Sequence, residues 1–205
     1  MQPRIIKTFK TSDGFTIIEI LVTMMITVFL TIILVFTFSK SKYNIDLVAN
    51  SILSDIRSAQ TKTLTGARYN TLLRCGYGIH YLTNATYAIY VGPQPNVSNG
   101  FCTSLNRNYR SNEDTDIATK ILMGSYSFKT NWAGGSNGGI FFQPPNPTTY
   151  IDESANLNKR PEEITIMPSG SAPSYCSNTA TKNKCRTICV YTSGKLTIIP
   201  GEGCP

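Results

Sequence analysis

Phe15-Thr16-Ile17-Ile18-Glu19-Ile20-Leu21-Val22-Thr23-Met24-Met25-Ile26 opens a block, running to Phe38, that is almost wholly apolar. Its 24 residues exceed the about 20 that a helix needs to cross a hydrocarbon core. One carboxylate, Glu19, interrupts the block about one turn in. At such a depth a glutamate costs roughly 2 kcal/mol or more unless it finds a partner. A lone anchor gains nothing from it, whereas a helix that packs against other helices can pair it with a neighbour's N-terminal amine. The simpler alternative is a side chain that snorkels to the headgroups.

Upstream, Met1–Gly14 is polar and basic, without an apolar run of its own. The chain carries a formal net charge of +7, of which Arg4, Lys7 and Lys10 against Asp13 place +2 before Gly14 and leave +5 for the rest. Basic residues ahead of an apolar span predict a single pass with the N-terminus in the cytoplasm. No A-x-A cleavage pattern follows Phe38, so this is not an ordinary secretory signal peptide.

Downstream, Tyr43–Leu64 lacks Gly and Pro, and Ile45, Val48, Ile52, Ile56 and Ala59 recur every three or four residues. That spacing predicts an amphipathic helix with one buried face, and Gly66 supplies a stop because glycine enters the left-handed region freely. The expectation is one long helix over about 15–65, transmembrane in its first half and amphipathic in its second. The domain reading is therefore a leader at 1–14, a transmembrane or assembly helix at 15–38, an amphipathic continuation at 39–66 and a β-rich extracytoplasmic head at 67–205.

Beyond Gly66 the pattern turns to strands. Gly78–Leu82 and Tyr87–Val91 are rich in aromatic and β-branched residues, with Asn84 between them as a turn residue. Further strands are expected around Lys120–Met123, Gly139–Gln143, Glu163–Met167, Thr187–Tyr191 and Lys195–Ile199, the last two forming a hairpin across Thr192-Ser193-Gly194. Gly92–Arg110 and Pro144–Arg160 read as connections. The fold class expected is α+β, a long N-terminal helix packed on an antiparallel, sandwich-like head.

All six cysteines, Cys75, Cys102, Cys176, Cys185, Cys189 and Cys204, lie in that head. An even count in a segment expected to be exported predicts disulfides. Cys75–Cys102 is favoured as a local loop, with the other four tying down the C-terminal segment. Cys185-x3-Cys189 has the look of half a zinc site, but no second pair follows and His80 is the sole histidine. No metal and no cofactor are expected. Only 15% of residues are charged, against roughly 25% in ordinary soluble domains, which suits a Tyr-, Thr- and Asn-rich surface-exposed head.

The segment Gly14-Phe15-Thr16-Ile17-Ile18-Glu19-Ile20-Leu21-Val22 resembles the class III signal of type IV pilins and type II secretion pseudopilins. The resemblance implies the pilin fold and cleavage after Gly14 by a prepilin peptidase that also methylates the new terminus at Phe15. It gives Glu19 the family's assembly role. It further implies other pilin or pseudopilin subunits and an inner-membrane assembly platform as partners. The localisation implied is the bacterial inner membrane, with the head extracytoplasmic, followed by the pilus or pseudopilus at the periplasm or cell surface. Ser54–Lys62, Ile164–Gly170 and Val190–Leu196 resemble segments of H-type pseudopilins and FimT-like minor pilins, which implies a low-abundance subunit of a pilus or of a protein-secretion pseudopilus.

Some FimT-like relatives bind DNA through a Gly-Arg-x-Arg element for DNA uptake. This chain has Gly194-Lys195-Leu196-Thr197 there, and lysine lacks the planar fork of arginine. Lys182, Lys184, Arg186 and Lys195 remain a candidate basic patch for phosphate contacts, with a solvated loop as the alternative. His80 has no catalytic neighbour in sequence. Asp114 and Asp116 lack the Gly and distal Glu of a calcium loop and read as a solvated charged loop. No nucleophile elbow or phosphate loop is present, so no enzyme is expected. The function expected is a structural minor pilin or pseudopilin, with a DNA- or ligand-binding tip subunit as the alternative.

Overall fold

Ile45, Val48, Ala49, Ile52, Leu53, Ile56, Ala59 and Thr63 form one buried stripe along a 20-residue helix, α2 (Ile45–Leu64). The structure, a computed structural model, describes residues 16–38 (side chains through 33), 45–66, 68–95, 102, 107–130, 132–133, 135, 138–144 and 148–205. It divides into two compact units, Met1–Lys42 and Tyr43–Pro205. The first contains an apolar helix, α1 (Ile17–Phe38). Among the described residues, the second contains α2 and nine strands.

Two antiparallel sheets build the second unit. The first has the order β3-β2-β1-β5-β6, from β1 (Tyr77–Thr83), β2 (Thr86–Val91), β3 (Thr115–Ile121), β5 (Ile140–Gln143) and β6 (Thr148–Ile151). The second has the order β4-β7-β8-β9, from β4 (Tyr126–Phe128), β7 (Glu162–Pro168), β8 (Arg186–Val190) and β9 (Leu196–Pro200). Side chains alternate across each strand, so Tyr77, Ile79, Ile89, Val91, Ile140, Phe142, Ile164, Ile166, Ile188 and Val190 all join the α2 stripe in one core. Helix α2 packs against β1 and β5 of one sheet and β7 and β8 of the other.

Polar contacts fix the helix at several points. Tyr87 Oη donates to Asp55 Oδ2 at 2.6 Å, and Thr63 Oγ1 donates to the Phe142 carbonyl at 3.2 Å while accepting from Tyr77 N. Arg186 grips Asp46 with two guanidinium nitrogens. Gly66 ends the helix at φ +60°, as its sequence position predicts.

Three corrections follow. The continuous helix over 15–65 is not what forms: the long N-terminal helix packed on a sheet is replaced by two separate helices, of which α2 alone packs on the sheets. Absence of Gly and Pro permits a helix but does not require a continuous one, and only α2 carries a one-sided stripe that packs on the sheets. The pattern that is apolar all round ends at Phe38, the stripe begins only at Ile45, and the residues between, 39–44, lie outside the described ones. Secondly, among the described residues no helix is long and apolar enough to cross a membrane, which overturns the transmembrane span and the single-pass inner-membrane anchor. Thirdly, the connection expected over 144–160 holds a strand, β6, recruited by pairing Ile140, Phe141, Phe142 and Gln143 with Ile151, Tyr150, Thr149 and Thr148.

Ile56 is 0% exposed at the centre of the stripe, whereas Leu47 on the opposite face is 52% exposed. Ile56→Ala is expected to lower unfolding free energy by about 2–5 kcal/mol, and Leu47→Ala by no more than about 0.5 kcal/mol, as read by urea denaturation.

Candidate functional site

The N-terminal end of α1 is built by two residues of the motif that opens the apolar block. Thr16 precedes the first helical residue, and Glu19 N donates to Thr16 Oγ1 at 3.3 Å. Glu19 reaches back, its Oε2 accepting from Thr16 N and Thr16 Oγ1, each at 3.3 Å. This is a reciprocal capping box, which satisfies donors that the first turn of a helix leaves open. A negative charge here also faces the positive end of the helix dipole. The S/T-x-x-E spacing of Thr16 and Glu19 was present in the sequence as the signal for it.

Past the cap, the described part of α1 is apolar over most of its surface and exposed. Ile17, Met25, Phe29 and Ile33 are 83%, 74%, 66% and 46% exposed, and every described side chain from 16 to 33 falls in the exposed class. The threonines within it turn their hydroxyls inward: Thr23 donates to the Ile20 carbonyl at 3.0 Å, Thr27 to Met24 at 2.9 Å and Thr31 to Thr27 at 2.6 Å. Glu19, Thr23, Thr27 and Thr31 are four residues apart and make one slowly winding stripe. A helix apolar all round is ordinarily a buried one, so α1 presents surface that calls for cover. Gly14 and Phe15, where the resemblance implies cleavage and methylation, lie outside the described residues.

In the head the cysteines form three disulfides. Cys75 is bonded to Cys102, Cys176 to Cys185 and Cys189 to Cys204. The first is the local loop expected, and the other two pin the C-terminal segment to β8 and its approach. Among the described residues no group of three or more His, Cys, Asp or Glu could hold a metal.

The candidate basic patch is divided. Lys182 and Lys184 lie in a short 3-10 turn that leads into β8, and Arg186 opens β8 opposite Pro200. Lys195 belongs to the turn at the other end of the same hairpin, where Gln60 Nε2 donates to the neighbouring Gly194 carbonyl. Arg186 is also committed: besides Asp46, its Nη1 donates to the carbonyls of Asn183 and Cys185 at 2.8 Å each.

Residues scattered in the sequence assemble into a cluster on the outer face of the first sheet. His80 is fully buried, with Nε2 2.9 Å from Asp116 Oδ1. Tyr109 stacks on its ring at 3.6 Å and donates to Asp116 Oδ2 at 3.3 Å. Tyr90 meets both rings edge-on and lies so close over Gly78 that a Cβ there would fall 2.6 Å from it. Strand alternation could have told that His80 faces away from Ile79. Nothing in the sequence could have told that Asp116, 36 residues later, would meet it. Asp114 is held in the same place, accepting from Arg110 N at 2.7 Å.

Comparison with protein-family models, curated proteins and solved structures yields no match.

Burial pushes the Asp114 carboxyl up from the usual carboxylate range to about 6, with Glu113 and Asp116 adding repulsion and the Arg110 amide opposing it. A carboxyl whose pKa is raised on folding binds its proton more tightly in the folded state. Its contribution to stability is therefore fully present below the unfolded pKa and declines as pH rises from about 4 to about 6. Asp114→Asn is expected to remove that decline. Relative to the parent, the variant should gain on the order of 1–2 kcal/mol between pH 4 and pH 7, discounted for partial solvent access; urea unfolding at the two pH values measures it.

Proposed function

We propose that the chain is a processed structural subunit of a helical fibre, a minor pilin or pseudopilin, in which α1 helices of neighbouring subunits cover one another. The observation that carries this reading is the uncovered apolar helix with Glu19 fixed at its first turn. A surface of Ile, Leu, Val, Met and Phe gains about 25 cal/mol for each Å² removed from water. Helices of like kind offer it complementary ridges and grooves. The inward-turned hydroxyls of Thr23, Thr27 and Thr31 are not stranded by such packing.

In this reading a prepilin peptidase cuts after Gly14 and methylates Phe15. The new terminus carries a positive charge one turn from Glu19. The capping box holds the Glu19 carboxylate at the helix end, and a neighbouring subunit's terminal amine completes its coordination. Thr16 acts as the positioning residue, since its amide and hydroxyl set the direction of the carboxylate. Pairing of opposite charges at a helix end sets the axial register between subunits, while the apolar faces supply the affinity.

Capping and pairing are separable by substitution. Gln at position 19 preserves the capping box and removes the charge; Ala at position 16 weakens the cap by about 0.5–2 kcal/mol and keeps the charge. Glu19→Gln is expected to cut the yield of assembled fibre at least about tenfold, as loss of a charge-assisted contact of about 1.5–3 kcal/mol requires. Cleavage at Gly14 and Phe15 methylation should be unaltered by intact mass. Thr16→Ala is expected to give an intermediate yield. Wild-type fibre yield from Glu19→Gln would reduce Glu19 to a cap, and a mature chain that does not begin at Phe15 would remove the processing step.

A further inference from the structure

The geometry points to the turn after α2 as a contact surface for an anionic lipid surface, a role separate from fibre assembly through α1. Asp55 is the last acidic residue before Glu113, so every charged side chain from Arg57 through Arg110 is a cation. Three of them, Lys62, Arg68 and Arg74, gather where α2 ends and β1 begins. Among the described residues none of the three has a carboxylate partner. Lys62 lies over the Tyr77 ring at 5.9 Å and Arg74 over the Tyr69 ring at 5.6 Å, contacts that orient the side chains while leaving the charges unneutralised.

Among these cations stand leucines that the core does not use. Leu64, Leu72 and Leu73 are 54%, 44% and 50% exposed. The backbone holds them there: Tyr69 and Leu72 exchange hydrogen bonds of 3.0 and 3.1 Å across Asn70 at φ +49° and Thr71 at φ +67°. The left-handed region is unfavourable for a β-branched residue such as Thr71, and such conformations persist only where the surroundings impose them. The turn is thus a fixed projection. Just before it, a Cβ added to Gly66 would meet nothing within 4 Å.

Unpaired cations alone would suit any polyanion. Bare leucines beside them select a partner that offers negative charge and an apolar phase within a side chain's length, which is the headgroup–acyl boundary of an anionic bilayer. Nucleic acid is met instead by aromatic platforms, and here Tyr69 packs against the core. Basic side chains with long stems reach phosphates while leucines enter the boundary.

Hydrogen exchange on the full-length chain tests this locally. Amides 64–74 are expected to slow in the presence of phosphatidylcholine vesicles containing phosphatidylglycerol, and not with phosphatidylcholine alone. Because α1 is present in both, its own affinity for apolar phases cancels. Arg68→Glu should raise the vesicle concentration for half-protection at least about tenfold, since each surface cation is worth roughly fivefold and reversal also adds repulsion. Leu72→Ser/Leu73→Ser should raise it similarly, with thermal unfolding of both variants unchanged. Equal slowing with both vesicles, or none with either, would overturn the proposal. So would equal protection by soluble polyglutamate or an oligonucleotide, which would reassign the surface to an acidic protein or to nucleic acid.

Discussion

The apolar stripe of α2 is shared between two sheets, and most of the second unit depends on that sharing. Neither the five-stranded nor the four-stranded sheet could bury its inner face against the other alone without leaving Ile52 and Ile56 uncovered. A single helix laid between them closes both. Asp46, Asp55, Gln60 and Thr63 then fix its position through contacts to Arg186, Tyr87, Gly194 and Phe142. Each contact falls near a different strand end, so the helix sets the register between the sheets as well as their distance. The chain passes from one sheet to the other between β3 and β4, between β4 and β5, and between β6 and β7. Such non-local pairing leaves little of the architecture to local preference.

The outer face of the first sheet carries a second, smaller layer. His80, Tyr90 and Phe141 project away from α2, and the segment with Tyr109 and Asp114 lies over them. The Cys75–Cys102 disulfide ties the start of β1 to the same side. Polar and aromatic groups do the covering here, which explains why the segment reads as a loop and yet includes buried side chains. Its carboxylates are held close together with burial raising Asp114, so the layer is sensitive to proton concentration.

The two units solve opposite problems. The second buries one face of α2 between its sheets and pairs its six cysteines in three disulfides. The first displays an apolar helix in which the hydroxyls of Thr23, Thr27 and Thr31 bond to backbone carbonyls of the helix itself. In the reading proposed here, subunit association supplies the cover that intramolecular packing does not, and the charge at Glu19 gives that association an axial reference.

The stripe from Ile45 to Ala59, the stop at Gly66, the β1–β2 hairpin around Asn84 and the Thr16–Glu19 spacing of the cap are legible in the residues alone. All of these are local, carried by periodicity, turn chemistry or a fixed offset of three residues. Tertiary structure was needed to show that the helical pattern is realised as α1 and α2. It alone made β6 a strand, through pairing with β5, and set His80 against Asp116. It also separated Lys195 from Lys182, Lys184 and Arg186 along one hairpin, giving Arg186 to Asp46 instead. The physical reason is common to these cases. The His80–Asp116 and Arg186–Asp46 contacts join residues 36 and 140 positions apart, so no property of either neighbourhood announces their meeting, and β6 is a strand because β5 lies beside it to pair with.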